Sequence, residues 1–276
     1  MHRPSTTGTS PSPPSNAPWD SAPASPVSTN FAKRTDAPYL TFAALSQFPF
    51  LRHAFTLRLP GVPVAPDVRR GNSASAPSVA ALQPPPHVGG YIDHGKVVRY
   101  HEDILNELNT TRTSLVSANQ THGSQIAIVR TRPRLPIPDA DGLITKAAGL
   151  PLGVYVADCC AVFLVDHKTH AIGLLHSGRK GTLAHIAAGA IGSMQHAFQT
   201  DPSDVLAVLS PCVGPCHYEM DIPATIEQQL RGAGVRDVIN PRICTACHLE
   251  QFYSYRAEKG QTGRMLAVMM MVPKPV

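Results

Sequence analysis

Residues 156–178 read "VADCCAVFLVDHKTHAIGLLHSG" and decide how the chain folds. Gly153 to Asp166 and Ala171 to Ser177 are strand-like, and the polar link "HKTH" (167–170) joins them as a β-hairpin. If Asp166 faces Ala171, Ala161 lies opposite His176, and Cys159 sits one diagonal step away on the same face. Cys160 then points to the other face. This pairing assumes that no bulge shifts the register.

Outward from the hairpin, helices and strands alternate. "HEDILNELNTTR" places Ile104, Leu105 and Leu108 at helical spacing, and "TLAHIAAGAIGSMQHAFQT" repeats small and apolar residues at three and four. "VLAVLSP" is a buried type of strand. "PATIEQQLRGAG" is a helix with Pro at its start and Gly at its end. "SLVSANQTHGSQIAIVR" holds two β-rich runs around a polar centre. Residues 1–36, rich in Pro, Ser, Thr and Ala, are expected to be a disordered tail, and 37–276 a single catalytic domain. The Pro-rich stretch 72–90 is expected to be a long surface loop or lid.

With 276 residues and 43% hydrophobic content, the chain can bury a substantial core. No apolar run reaches the roughly 18 residues of a membrane helix, and the first residues lack a signal-peptide core, so a cytoplasmic protein without membrane contact is expected. Six cysteines in adjacent, CxxxC and CxxC spacings do not form a secreted disulfide framework, and reduced thiols are expected. The net charge of +5 suits anionic small molecules, and the scattered basic residues argue against nucleic acid. The sequence does not fix an oligomeric state.

The hairpin offers Cys159 and His176 to one ion. "NQTHGSQ" supplies a third donor, His122, at a Gly-flanked break where a side chain leaves the regular pleat. Two imidazoles and one thiolate are borderline-soft donors that suit Zn²⁺, and three protein ligands leave a fourth position open. A buried Cys acting as a small hydrophobe and a hydrogen-bonded His are the competing reading.

"NQTHG", "DADGLITKAAGLPLGVYVADCCAVFLVD", "GLLHSGRKGTL", "PCVGPCHYEM" and "ICTACHLEQFYSYRAEKGQTGRM" resemble, in order and spacing, the YfiH family, also called the polyphenol oxidase or laccase-domain family. The resemblance spans roughly residues 40 to 272. It implies an α+β fold, a four-layer α/β/β/α sandwich of mixed sheets, and one Zn²⁺ per chain on catalytic ligands His122, Cys159 and His176, with Cu²⁺ as the lesser alternative. It also implies a purine nucleoside phosphorylase acting on adenosine, inosine and guanosine, with methylthioadenosine cleavage and adenosine deamination as related activities. Purine nucleoside and phosphate are the expected partners, with phosphate on Arg58 and Lys180. Gln120, two residues before His122, is a candidate substrate contact. In "HSGRKG" Arg179 and Lys180 stand where the family has Trp and Arg, so the planar guanidinium fork is lost there.

Other readings rest on particular residues. Peptidoglycan precursor editing, linked to some members, would use the same pocket, and a metal-free hydrolase would use Cys159 as nucleophile. A copper laccase needs many imidazoles, commonly as His-x-His pairs, and none of the 13 histidines is two residues from another. His248 and Glu250 match the H-x-E of zinc deaminases, but Cys244 and Cys247 precede it and lack the proline. Those two cysteines with Cys212 and Cys216 form a possible four-thiolate zinc site. Asp158 is a candidate support for a histidine or the adjoining loop. Tyr253 and Tyr255 are expected in the core, with Arg256 solvated.

Overall fold

The computed structural model describes residues 31–32, 38–59 and 94–273. The expected loop over 72–90 and all of the expected tail except Phe31 and Ala32 lie outside the described residues. The first elements are β1 (Phe31–Ala32), β2 (Tyr39–Phe42), α1 (Ala43–Ser46), β3 (Leu51–Thr56), α2 (His94–Glu107), β4 (Ile126–Ile128), β5 (Gly142–Thr145) and β6 (Leu152–Val156). There follow β7 (Cys160–Asp166), β8 (Ala171–Ser177), α3 (Arg179–Leu183), α4 (Ile186–Phe198), β9 (Val205–Leu209), α5 (Ile222–Gly232), β10 (Asp237–Ile239) and β11 (Met265–Met271).

The strands form two sheets, ordered β1-β2-β3-β11-β6 and β10-β9-β7-β8-β5-β4. The first is an antiparallel ladder, with an isolated parallel bridge from Val116 to Leu152 on β6. The second is mixed, with parallel pairs at both edges around an antiparallel centre. α2 lays Ile104, Leu105 and Leu108 against Ala54, Leu266 and Val268 of the first sheet. Phe42, Phe55, Phe163, Leu174 and Met269 fill the space between the sheets. On the outer face of the second sheet, Cys160, Val162 and Leu164 meet Ile186, Ala190 and Met194 of α4 and Ile226 and Leu230 of α5. This is the expected α/β/β/α sandwich, and the period of two along β7 sorts each residue into its layer.

The hairpin has the register read from sequence, with Asp166 opposite Ala171 and Ala161 opposite His176. The expected continuous strand from Gly153 to Asp166 is instead two strands in different sheets. β6 ends at Val156 in the first sheet, Ala157–Cys159 cross over, and β7 starts at Cys160 in the second. Asp158 makes the turn at φ 79°, in the left-handed region that Asp enters more readily than bulky residues. Its carboxylate fixes the crossing by accepting from Thr245 Oγ1 (2.6 Å) and the Arg256 backbone N–H (2.7 Å). β-rich residues on both sides conceal this break from a periodicity reading.

The helix expected over "TLAHIAAGAIGSMQHAFQT" is also two, because His185 at φ 59° separates α3 from α4. α5 starts as its sequence suggests, with Asp221 Oδ1 accepting from Ala224 N–H (3.0 Å) and Pro223 in the first turn.

Two histidines are built into the first sheet and its helix. His53 Nε2 accepts the Phe42 backbone N–H at 2.8 Å, and His101, on α2, is buried. Burial lowers both from 6.5 to about 4. Between those values the unfolded chain binds protons that the folded chain refuses, so stability is complete above pH 6.5 and falls as pH drops towards 4. We expect a loss on the order of 3 kcal/mol per histidine across that window, from about 1.4 kcal/mol per pH unit. Urea midpoints measured from neutral to acid pH should fall less steeply in His53→Gln, which retains an acceptor but does not titrate.

Candidate metal centre

The Asp141 carboxylate, just before β5, assembles the site. Its Oδ2 accepts from Thr121 N–H (3.1 Å), Thr121 Oγ1 (3.1 Å) and Gly123 N–H (2.7 Å), and its Oδ1 from His122 N–H (3.0 Å). These bonds hold the break at residues 121–123, where His122 has φ 60° and its side chain leaves the strand direction. His176, on β8, donates its backbone N–H to the Asp141 carbonyl and places Nδ1 2.7 Å from Asp141 Oδ1. Burial disfavours the Asp141 charge, but hydrogen bonds from His176, Gly123 and Thr121 outweigh it and hold the pKa at about 2. With Nδ1 engaged by the carboxylate, His176 has Nε2 left to ligate.

Cys159 enters from the sheet crossover. The ligating atoms of His122, Cys159 and His176 all lie within 4.8 Å of one another, and exposure rises from buried His176 to exposed His122. The two imidazole rings meet edge to face, with centroids 4.8 Å apart. Gly178, where β8 gives way to α3, makes room, because a Cβ there would lie 2.7 Å from Cys159 Sγ. Burial opposes ionisation of Cys159, but the charge of His176 and hydrogen bonds with His122 and His176 bring its pKa down to about 6. Burial likewise opposes charge on His176, yet the Cys159 thiolate and Asp141 raise it to about 9. The two shifts are mutual, each group favouring the charged form of the other, and binding a cation to this pair releases whatever protons its ligand atoms hold. Two imidazoles and one thiolate oriented by a buried carboxylate fit one borderline-soft divalent ion.

These donors lie at a cavity of about 1080 Å³. Tyr155, Tyr218 and Tyr255 give it aromatic surface, and Arg179, Lys180, Arg256, Lys259 and Arg264 make it basic. Lys180, a candidate phosphate contact, is among the lining residues. Gln120 lines it too, but its amide serves the fold: Nε2 donates to the Tyr155 carbonyl and Oε1 accepts the Tyr155 N–H, both at 2.8 Å. Arg58 is not among the lining residues. It is buried, with Nη2 2.6 Å from Glu258 Oε2 and its guanidinium over the Tyr253 ring, which places it behind the wall. The sequence reading also missed Asp141, whose only signal was an acidic residue at the start of a buried strand. Tyr255 is exposed at the cavity rather than in the core, whereas Tyr253 is buried. Asp158 supports the adjoining loop, not a histidine.

The proposed four-thiolate group is not formed. Cys216, Cys244 and Cys247 converge with His217, while Cys212 lies in the core facing Cys160. All six cysteines are free thiols.

Residues 68–221 and 217–272 match the family model described as multi-copper polyphenol oxidoreductase laccase. The chain is 28% identical over 239 residues to the purine nucleoside phosphorylase YlmD of Geobacillus stearothermophilus, covering 72% of this chain and 86% of the relative. The crystal structure of YlmD from the same organism superposes with a TM-score of 0.73 at 25% identity, over 88% of this chain and 99% of that one. A Bacillus licheniformis protein, YfiH, described as hypothetical, has the same fold at a TM-score of 0.70 and 23% identity, over 88% and 100% of the two chains.

The two adjacent cysteines provide the test of the centre. Cys159→Ser should abolish zinc binding at this site, read as a fall in the metal content of the purified chain, since a hydroxyl is a far poorer zinc ligand than a thiolate, whereas Cys160→Ser should retain it. Asp141→Asn should weaken zinc affinity roughly 10- to 100-fold, the usual cost of removing a partner that orients a ligand. Full zinc retention at this site in Cys159→Ser would overturn the ligand set.

Proposed function

The chain belongs to the family described as multi-copper polyphenol oxidoreductase laccase, and within it we propose a zinc-dependent purine nucleoside phosphorylase. Adenosine, inosine and guanosine are its proposed substrates, with methylthioadenosine cleavage and adenosine deamination as accompanying activities. One observation carries this reading: a single cavity joins the His122, Cys159 and His176 donors to aromatic and strongly basic walls. Relatives named purine nucleoside phosphorylases support it.

The walls divide the work. Tyrosine rings offer flat faces for a purine. Lys180, with the neighbouring arginines, supplies positive charge for a phosphate that attacks the ribose anomeric carbon as the purine departs with the bonding electrons. Arg58, engaged by Glu258 and lying over Tyr253, is not among the residues that line the cavity, so Lys180 and the arginines beside it carry the proposed phosphate contact. A divalent ion on His122, Cys159 and His176 would supply Lewis acidity towards a heteroatom of the substrate. Asp141 keeps His176 in one orientation throughout. The laccase description in the family name is not supported by the donors: among the described residues, candidate metal ligands of the His/Cys/Asp/Glu type form two small clusters, and neither supplies the imidazoles of a multicopper centre. A metal-free reading follows from the Cys159 thiolate beside His176, which is the pairing a cysteine nucleophile needs. Activity that survives complete zinc removal would favour it.

Incubating the purified chain with each nucleoside, with and without phosphate, should release free base and ribose 1-phosphate only when phosphate is present. Base release independent of phosphate would point to a hydrolase, and no turnover of any nucleoside would reject the reading. Lys180→Ala should raise the KM for phosphate roughly 10- to 100-fold, as expected for a lost charge-assisted contact, with kcat much less affected.

A further inference from the structure

The second donor cluster lies outside the nucleoside cavity's own ligands and stands independently of the proposed activity. Cys216 and His217 belong to the loop between β9 and α5, and Cys244 and Cys247 to the loop between β10 and β11. A parallel bridge between Cys212 and Cys244 brings the two loops together: Cys212 N–H donates to the Ile243 carbonyl and Thr245 N–H to the Cys212 carbonyl, both at 3.1 Å. The 3-10 turn Thr245–Cys247 then carries Cys247 round to the side of Cys244.

The four donors have the dimensions of one coordination shell. Zn–S near 2.3 Å and Zn–N near 2.0 Å in a tetrahedron require about 3.8 Å between sulfurs and about 3.5 Å from sulfur to nitrogen. Cys216 Sγ and Cys247 Sγ are 3.5 Å apart, and His217 Nδ1 lies 3.4, 3.8 and 3.5 Å from the sulfurs of Cys216, Cys244 and Cys247. The remaining donor pairs are within 4.8 Å. Gly214 N–H donates to Cys244 Sγ at 3.3 Å, the kind of bond that stabilises a ligating thiolate. One imidazole set as a fourth corner beside three thiols has no packing rationale, because Cys216, His217 and Cys247 are exposed.

We propose that Cys216, His217, Cys244 and Cys247 form a second zinc site, structural in kind, that pins the β9–α5 loop to the β10–β11 loop. Four protein donors complete the tetrahedron and leave no position for substrate, which separates it from the three-donor centre. Its place in the fold gives it a task. Tyr218, next to His217, lines the nucleoside cavity and stacks under Arg256, while Thr245, between Cys244 and Cys247, donates to Asp158 at the sheet crossover. The expected single zinc per chain thereby becomes two.

Full-length chain produced with zinc and purified with a reductant but without chelator should contain about two zinc ions. His176→Ala should retain one, and Cys216→Ser/Cys247→Ser, which alters only exposed positions, should lose the other. In wild-type protein Cys216 and Cys247 should resist alkylation until a strong chelator is added, a pattern read by peptide mass spectrometry that needs no variant to fold. Cobalt loaded into His122→Ala/His176→Ala should show the visible bands of a tetrahedral ion with thiolate charge transfer. A wild-type content of one zinc that His176→Ala abolishes would overturn the site. So would alkylation of Cys216 and Cys247 at full rate without chelator, or their recovery as a disulfide from reduced protein. One zinc that survives His176→Ala but not Cys216→Ser/Cys247→Ser would uphold this site and reject the three-donor centre.

Discussion

The buried carboxylate of Asp141 fixes the ends of neighbouring strands, where β4, β5 and β8 run side by side, into one ligand frame. Through one oxygen it grips the turn that presents His122, and through the other oxygen and its own carbonyl it engages both that turn and His176 on β8. A carboxylate buried without such partners would carry a large desolvation cost, and hydrogen bonds from three backbone N–H groups, a hydroxyl and an imidazole remove it. The same bonds convert a loop into a fixed ligand position. A metal site needs that rigidity because donor directions, more than donor identities, decide whether three side chains share one ion.

Cys159 owes its place to a different constraint. The chain leaves the first sheet at Val156 and joins the second at Cys160, so the residues between them bridge the interior of the sandwich. At that crossing the left-handed turn of Asp158 directs one thiol into the cavity, while the pleat of β7 sends the next into the packing beneath α4 and α5. Adjacent residues of identical chemistry thus meet opposite environments: one beside two imidazoles, where the thiolate is stabilised, and one among aliphatic side chains. Gly178 completes the arrangement by leaving open the volume that the Cys159 sulfur occupies.

Much of the cavity wall is built from loops, with Tyr155 of β6, His176 of β8 and the start of α3 completing it. The segment after β9 supplies Tyr218 and the segment before β11 supplies Tyr255, Arg256 and Arg264, so the surface offered to a ligand depends on how these two segments are fastened. Asp158 fastens the second through Thr245 and Arg256. The backbone bridge at Cys212 and Cys244 fastens the two to each other. Arg58, expected to meet phosphate, is buried with Glu258 at its guanidinium and the Tyr253 ring beneath it, away from the residues that line the cavity.

Local pattern was sufficient for the hairpin. Two apolar runs, Cys160–Asp166 and Ala171–Ser177, closed by a short polar loop, were enough for the register that places Ala161 opposite His176, and a slip by one residue would exchange the side chains facing the other sheet with those facing the helices. The same reasoning separated Cys159 from Cys160, and the glycine beside His122 signalled the break that frees its side chain. The break between β6 and β7 was not legible, since strand-like composition continues across it and only the pairing partners of Leu152–Val156, far away on β11, assign that stretch to the other sheet. Asp141 and His217 were equally hidden. Both lie inside motifs that the family resemblance rests on, but their roles do not show there: the carboxylate acquires its role from the turn and strand that fold onto it, and the imidazole from cysteines some 30 positions away. Sequence periodicity fixes which face a side chain occupies, whereas the identity of its neighbours across the sandwich is settled only when the two sheets and their loops close.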